Sequence, residues 1–313
     1  MTNTNPAGLS HASEPWPQLE FTDWKDTCET LHLWTQIVGK IRLVQTPWLN
    51  HSWHVPLYLT ARGLTTSPIP YGTRMFEMDF DFIDHQLHVQ THDGITRTIG
   101  LRPMAVADFY QELLTTMSDI GLDVTINTTP SELVDPIPFD QDREHASYDA
   151  EYANRFWRIL LQTDRVFKLF RSEFLGKSSP VHFFWGSFDL AVTRFSGRPA
   201  PEHPGGVPNL PDWVAREAYS HEVSSCGLWP GNEQFPHLIF YAYAYPTPDG
   251  FSTAAVKPDS AYYSNEMGEF VLHYSEMRQT ESPDDTLMAF LQSTYEAAAK
   301  LSNWDQDALE RGK

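Results

Sequence analysis

Residues 74–94, RMFEMDFDFIDHQLHVQTHDG, decide the fold class because apolar and polar residues alternate along them. Phe76, Met78 and Phe80 occupy every second position, with acidic residues between them. A period of two is typical of a strand with one buried face, and residues 84–85 provide a short turn into a second strand. The stretch therefore predicts an antiparallel sheet with an acidic outer face.

Helical spacing of apolar residues appears on both sides of this hairpin. The predicted helices cover 22–39, 103–120, 147–175 and 284–301. Strands are predicted at 41–46 and 51–63 in the first half of the chain, and at 180–185 and 187–195 in the second. The pattern predicts an α+β fold, in which antiparallel sheets are flanked by helices and two similar α-β-β-β-β-α halves pack as one unit.

The predicted organisation follows from this element order. It consists of a disordered tail (1–15), a first half (16–130), a Pro-rich linker (131–146), a second half (147–304) with a long loop at 196–213, and a C-terminal tail (305–313). Sliding the chain by 131 residues places His51 on His182, but Arg62 then falls one residue short of Arg194. A slip of one residue turns the side chains of a strand to the opposite face, so the two segments match only in part. Internal duplication and chance agreement of two α+β halves are therefore both possible explanations.

Composition limits the classes of partner. The 313 residues include 22 Lys and Arg against 41 Asp and Glu, a formal charge of −19, which argues against nucleic acid or an anionic membrane as a partner. Cys28 and Cys226 are far apart, which favours a reducing compartment. We find neither a signal peptide nor an apolar run of membrane-spanning length, so the expected location is the cytoplasm.

Familiar catalytic signatures are missing from the sequence. It contains no G-x-S-x-G, G-x-x-x-x-G-K-[ST], G-x-G-x-x-G, H-E-x-x-H or C-x-x-C motif. These absences argue against a nucleotide-dependent enzyme, a serine hydrolase of the elbow type and a zincin.

A divalent transition metal is one hypothesis for the histidines. The candidate ligands are His51, His182, His221 and Glu222, a set that suits zinc, iron or manganese. The alternative is that these residues are hydrogen-bonded structural histidines in an aromatic core.

The strand within 181–194, VHFFWGSFDLAVTR, gives the sharper indication of a binding site. Trp185, Ser187 and Asp189 would share one face, and an aromatic beside few polar groups is typical of a pocket wall. The corresponding face in the first half carries His54, Tyr58 and Arg62. An ordinary solvent-facing side is the alternative for both strands.

Arg62 and Arg194 end these two strands. Paired guanidinium groups would bind a carboxylate or phosphate, so together they predict an anchor for an anionic ligand. The competing interpretation pairs each arginine with one of the chain's many acidic residues.

Long segments resemble a bacterial family of uncharacterised proteins, one of the domain-of-unknown-function families. They are LHLWTQIVGK (31–40), NHSWHVPLYLTARGLTTSPIPYG (50–72), SPVHFFWGSFDLAVTRFSGR (179–198), REAYSHEVSSCG (216–227) and LQSTYEAAA (291–299). The resemblance extends from about Trp16 to Trp304. It implies one unit over the whole chain and brings no activity, cofactor or catalytic residue.

The leading functional hypothesis is a hydrolase-like enzyme, metal-assisted in one version, that acts on a small polar or anionic molecule in a cleft between the halves. His182, Asp189, His221 and Glu222 are its acid/base or ligand candidates, because a His held by a carboxylate titrates near neutral pH. The ligand-binding candidates are His54, Tyr58, Arg62, Trp185, Ser187 and Arg194. The alternatives are a non-catalytic small-molecule-binding protein and an assembly factor without a pocket.

Overall fold

The computed structural model describes residues 14–312 and has an α+β architecture, as predicted. Within these residues it contains seven α-helices and two antiparallel sheets of six strands each. The helices are α1 (Phe21–Gln45), α2 (Val106–Ser118), α3 (Ala150–Ser172), α4 (Asp212–Ala218), α5 (Tyr274–Arg278), α6 (Pro283–Leu301) and α7 (Gln306–Leu309). The predicted N-terminal tail lies outside the described residues except for its last two positions.

The first sheet belongs to the first half of the chain. Its strands are β1 (Tyr58–Leu59), β2 (Gly63–Thr65), β3 (Ile69–Tyr71), β4 (Arg74–Asp81), β5 (Gln86–Thr91) and β6 (Thr96–Gly100). Their order is β1-β2-β4-β5-β6, and β3 also pairs with β4. The predicted hairpin is confirmed: Phe80 pairs with Leu87, and Phe76 and Met78 are buried.

The second sheet belongs to the second half. Its strands are β7 (His182–Phe184), β8 (Asp189–Pro199), β9 (His221–Trp229), β10 (Ile239–Tyr245), β11 (Tyr262–Ser264) and β12 (Glu269–His273). The order is β11-β12-β10-β9-β8-β7, with every pair antiparallel. One sheet in each half is consistent with the predicted two-half arrangement.

The two faces of the second sheet differ in what covers them. Leu190, Val192, Leu228 and Phe240 are buried on the face that packs against α3 and α6. Because successive strand residues point to opposite sides, Asp189, Thr193, Ser225 and Tyr241 occupy the other face. The functional candidates of the strand at 181–194 are thus divided between the two faces.

The two halves share a core. Leu57 and Phe183 exchange backbone hydrogen bonds of 2.9 and 3.0 Å, which link the edges of the two sheets. Residues 122–149 contain neither helix nor strand but pack closely, and Phe139 and Asp142 are fully buried. The segment predicted as a Pro-rich linker is therefore part of the packed body.

Helix α1 continues past the predicted end at Gly39, so the strand predicted at 41–46 is wrong. A Cβ at position 39 would overlap the indole ring of Trp185, so the glycine serves close packing rather than helix termination. Most of the strand predicted over 51–63 does not form either, because His51 and Ser52 adopt left-handed backbone conformations with φ of 59°. A 3-10 turn at Asn50–Ser52 results.

The loop predicted at 196–213 is shorter than expected. Strand β8 runs on to Pro199 and α4 begins at Asp212, which leaves 200–211 without regular structure. We call residues 200–218, which include α4, the cover segment. Beyond α6, the predicted C-terminal tail carries the short helix α7, and Lys313 lies outside the described residues.

Candidate functional site

A cavity of about 670 Å³ lies between the open face of the second sheet, the cover segment and parts of the first half. The first half contributes the end of α1 and the residues 48–55 and 127–132. The cavity therefore lies where the two halves meet, on the sheet face that the helices leave free.

Asp189 and Tyr241 form the polar centre of the cavity's sheet wall. The Tyr241 hydroxyl donates a hydrogen bond to Asp189 Oδ2, and Asp189 is only 6% exposed. Burial raises the pKa of the Asp189 carboxyl to about 7; the Tyr241 hydrogen bond opposes this shift, whereas the nearby charge of Glu132 adds to it. Asp189 is thus a carboxyl that exchanges protons near neutral pH.

Two further carboxyl groups line the same cavity. Burial, together with the charge of Asp189, raises the pKa of Glu269 to about 7. Glu132 accepts a 2.5 Å hydrogen bond from the Ser187 hydroxyl, and burial raises its pKa as well. Within residues 14–312, none of these three carboxylates forms a salt bridge with a Lys, Arg or His.

Two glycines make room for these polar groups. Gly227 lies opposite Tyr241 in the β9–β10 register, and a Cβ there would overlap the tyrosine ring and its hydroxyl. A Cβ at Gly186 would overlap the carboxylate of Glu132. A strand glycine such as Gly227 often marks a close approach of this kind, and Gly186 does the same in the turn between β7 and β8.

The remaining wall is mostly apolar, and aromatic side chains form a large part of it. The aromatic residues that line it are Trp48, Trp53, Phe184, Trp185, Phe195, Trp213, Tyr219, Trp229 and Tyr243. Trp185 Nε1 donates to the Val55 carbonyl at 2.9 Å, which fixes that ring between the halves. At the outer side, the Trp48 and Trp213 rings lie 4.7 Å apart and both are exposed, so they mark the rim.

The cover segment is attached to the first half on two sides. The Glu132 amide donates to the Pro208 carbonyl at 2.9 Å, and Asn209 Nδ2 donates to the Leu133 carbonyl at 2.7 Å. On the other side, His51 Nδ1 bonds the Ala218 carbonyl at 3.0 Å. These bonds hold α4 over the sheet and close the cavity.

Four of the residues singled out from the sequence line the cavity: Trp185, Ser187, Asp189 and His51. Burial lowers the pKa of His51, whose Nε2 lies 2.7 Å from Lys177 Nζ. His51 is therefore a neutral ring that accepts from a lysine and donates to a backbone carbonyl.

The other histidine and glutamate candidates lie elsewhere. His182 is buried against Trp53, Tyr58 and Phe184, and burial lowers its pKa to about 3. His54 Nδ1 accepts from the Leu49 amide at 3.2 Å.

At the start of β9, His221 lies at the edge of His51, with ring centroids 5.9 Å apart. Glu222 is paired with Arg198 at 2.7 Å. The predicted acid/base set of His182, Asp189, His221 and Glu222 is thus not assembled around one cavity.

The structure does not bring Arg62 and Arg194 together. Arg194 lies on the helix-covered face of β8, where its guanidinium donates to the Phe170 carbonyl and lies 4.3 Å from the centroid of the Tyr295 ring. Arg62 pairs with Asp81 in the first sheet at 2.5 Å. The expected anion anchor is corrected: Arg62 pairs with carboxylates of the first sheet, and Arg194 is buried among aromatic rings on the other side of the second sheet.

No metal centre forms from the predicted ligands. Among the described residues, no group of three or more His, Cys, Asp or Glu side chains is arranged to hold a metal ion. His51, His182, His221 and Glu222 are accordingly spread over separate contacts rather than around one point.

Several cavity residues were not found from the sequence, namely Lys40, Glu132, Tyr241, Tyr243 and Glu269. The alternation in IFYAYAY (239–245) and the glycine within β9 were available signals for the two tyrosines. Glu132 carries no such signal, because it lies in a segment without regular structure. Lys40 Nζ donates to the Thr129 carbonyl at 2.8 Å, and burial lowers its pKa to about 8.

The fold and the site define an α+β protein with a partly enclosed, aromatic-rich cavity whose carboxyl groups form no salt bridge within residues 14–312. The chain belongs to DUF5996, a family of unknown function, which it matches over residues 16–311. No curated protein and no solved structure shows significant similarity to it. Across the part of the chain that the structure describes, no helix has the length and apolar character needed to cross a membrane.

Proposed function

We propose that this protein binds a small organic molecule in the cavity between the second sheet and the cover segment. The observation that carries the proposal is the cavity itself: about 670 Å³, mostly apolar walls rich in aromatic side chains and a few polar groups of fixed direction. Sites for small molecules have this size and this mixture of surfaces. The anionic ligand expected from the sequence is not retained, because neither Arg62 nor Arg194 reaches the cavity.

Nile red, a neutral dye that fluoresces in apolar surroundings, tests the proposal. The protein should give a saturable fluorescence increase with one dye per chain. Ala191→Phe and Val214→Trp introduce bulk from the sheet wall and from α4, and each should abolish the increase. Thr96→Phe on exposed β6 is the matched control and should bind the dye like the wild type. Equal binding by all three variants would place the dye elsewhere and contradict the proposal.

Acid–base catalysis is a second candidate function, and the carboxyl of Asp189 favours it. A group whose pKa lies near 7 can both take and give a proton at neutral pH. The enzyme hypothesis then requires that Asp189→Asn lowers kcat on a bound substrate by roughly 10²-fold or more. A ligand that wild-type protein binds and returns unchanged, over many binding cycles, supports binding without catalysis.

A further inference from the structure

The charges around the cavity are unbalanced toward the negative. Asp189, Glu132 and Glu269 face it without a salt-bridge partner among the described residues, as the site geometry shows. The cation among the lining residues is Lys40, whose ammonium is bound by the Thr129 carbonyl. His51 is held neutral by burial, so it does not compensate the carboxylates.

Such carboxylates are costly to the folded protein. A buried charge loses its hydration, and proteins ordinarily recover this loss with a paired cation. Here the side-chain donors to Asp189 and Glu132 are hydroxyls, from Tyr241 and Ser187. A positively charged ligand in the cavity would supply the missing attraction.

The aromatic walls favour the same charge. Faces of Trp and Tyr rings attract cations because their π-electrons are negative, and the attraction is largest where water is excluded. Trp185, Tyr219 and Tyr243 line the cavity together with the carboxylates. An anion would meet both these rings and the acidic groups and would be disfavoured by each.

An independent observation points to a ligand as well. The Ser52 side chain lines the cavity and is 9% exposed, yet its hydroxyl has no hydrogen-bond partner in the described part of the chain. Buried hydroxyls are normally paired, so an unpaired one in a cavity wall is a place for a bound molecule's polar atom.

We propose that the ligand is a protonated amine on an aromatic or apolar body, whose ammonium group binds Asp189 and Glu269 while the body packs on the tryptophan-rich walls. This inference rests on the proposed function and specifies the ligand class of the same cavity. An ammonium group suits the site because its N–H donors satisfy Asp189, to which Tyr241 supplies one side-chain hydrogen bond, and Glu269, which receives no side-chain hydrogen bond within residues 14–312.

Three compounds that share one body separate the head groups: naphthylethylamine, naphthylethanol and naphthylacetate. Calorimetric titration of the full chain at pH 8 should give the tightest binding for the amine, at least about tenfold over the alcohol. The acetate should bind weakest. An alcohol or acetate that binds as tightly as the amine would overturn the inference but leave the proposed function standing. If none of the three binds, the proposed function itself is contradicted.

Two variants assign the effect to the carboxylates. Asp189→Asn and Glu269→Gln should each lower amine affinity by about tenfold and change alcohol affinity little, since only the charge is removed. Asp79→Asn, on the outer face of the first sheet, is the control and should leave both affinities unchanged. A uniform loss of amine and alcohol binding would indicate damage to the cavity's shape and contradict charge recognition.

Discussion

The two sheets differ in how the carboxylates on the face outside the core are paired. On the first sheet, the outward carboxylate of Asp81 forms a salt bridge with Arg62 at 2.5 Å, and Asp79 beside it accepts a hydrogen bond from Gln90 at 2.9 Å. On the second sheet, Asp189 and Glu269 lie under the cover segment and form no salt bridge within residues 14–312. The outward Asp81 thus has a cationic partner within the fold, whereas the buried carboxyl groups of the second sheet must either take up a proton or be balanced by a bound cation.

The two arginines first assigned to one anion site give the largest expected difference between the sheets. Arg194→Ala removes a buried side chain whose guanidinium lies 3.5 Å from the centroid of the Phe170 ring, and should lower the free energy of unfolding by about 3–5 kcal/mol. Arg62→Ala removes a half-exposed partner of Asp81 and should cost far less, because exposed ion pairs are screened by water. Urea denaturation measures both. Equal losses would mean that Arg194 is not the buried structural group described here.

Opposite pH effects should distinguish Asp189 from Asp81. Burial raises the pKa of Asp189 to about 7, so ionisation destabilises the folded state as pH rises from about 4 toward 7. Asp189→Asn should therefore gain stability over wild type with rising pH, by about 1–3 kcal/mol at pH 8. The groups facing Asp189 are Tyr241, Glu132 and Glu269, and the two glutamates act in the same direction.

Asp81 is the counterpart in the first sheet. Burial opposes its ionisation, but hydrogen bonds from the Asp84 and Ile83 amides and from Arg62 outweigh burial and lower its pKa. Its ionised form stabilises the fold above the unfolded pKa, and this contribution is lost as pH falls. Asp81→Asn should thus be less stable than wild type at neutral pH and approach it in acid. Parallel pH curves for the Asp189 and Asp81 variants would refute the contrast between the two sheets.

A glycine in each sheet tests the close approach in β9. Gly227→Ala would force the Tyr241 ring off β9 and should cost about 1–3 kcal/mol, because the crowded wall has to shift. Gly100→Ala, at the end of β6, meets only Arg102 Nη1 at 3.7 Å and should change stability by less than about 0.5 kcal/mol. Thermal denaturation compares them. Matching losses would show that Tyr241 does not need the space over Gly227.

The part of the site that follows from local sequence pattern could be predicted. Strand alternation predicted that Trp185, Ser187 and Asp189 face a pocket, and all three line the cavity. Of these, Asp189 lies in a strand, whereas Trp185 and Ser187 lie in the turn between β7 and β8, so the turn rather than alternation sets their direction. The same argument fails for a residue such as His182, which shares the sheet face but is buried beneath Trp53 and Tyr58. Whether a side chain reaches a cavity depends on what covers it.

The remaining cavity groups depend on contacts between distant segments. Glu132 is positioned because Gln36 of α1 and Ser131 exchange hydrogen bonds of 3.0 and 2.8 Å across 95 residues of chain. Glu269 meets Asp189 only through the strand order of the second sheet, which no local pattern specifies. The turn at His51 and Ser52, with its left-handed backbone, likewise results from packing against the second half rather than from local propensity.

The smallest expected effect on stability concerns the rim, where the second sheet's cavity meets solvent. Trp213 is 53% exposed and its ring lies against that of Trp48 at an angle of 48°. The Trp48 indole N–H donates to Glu217 at 2.9 Å. Trp213→Ala should lower the free energy of unfolding by about 1 kcal/mol, since about half of the residue stays exposed to solvent.

The same change should speed both association and dissociation of Nile red in stopped-flow fluorescence, because the ring pair narrows the way into the cavity. Met75→Ala, an exposed apolar residue of β4, should alter neither rate and serves as the control from the first sheet. Unchanged dye kinetics in the Trp213 variant would mean that ligands enter elsewhere, between the cover segment and the strands. The contact between Trp48 and Trp213 would then serve to hold the cover segment in place rather than to restrict ligand entry.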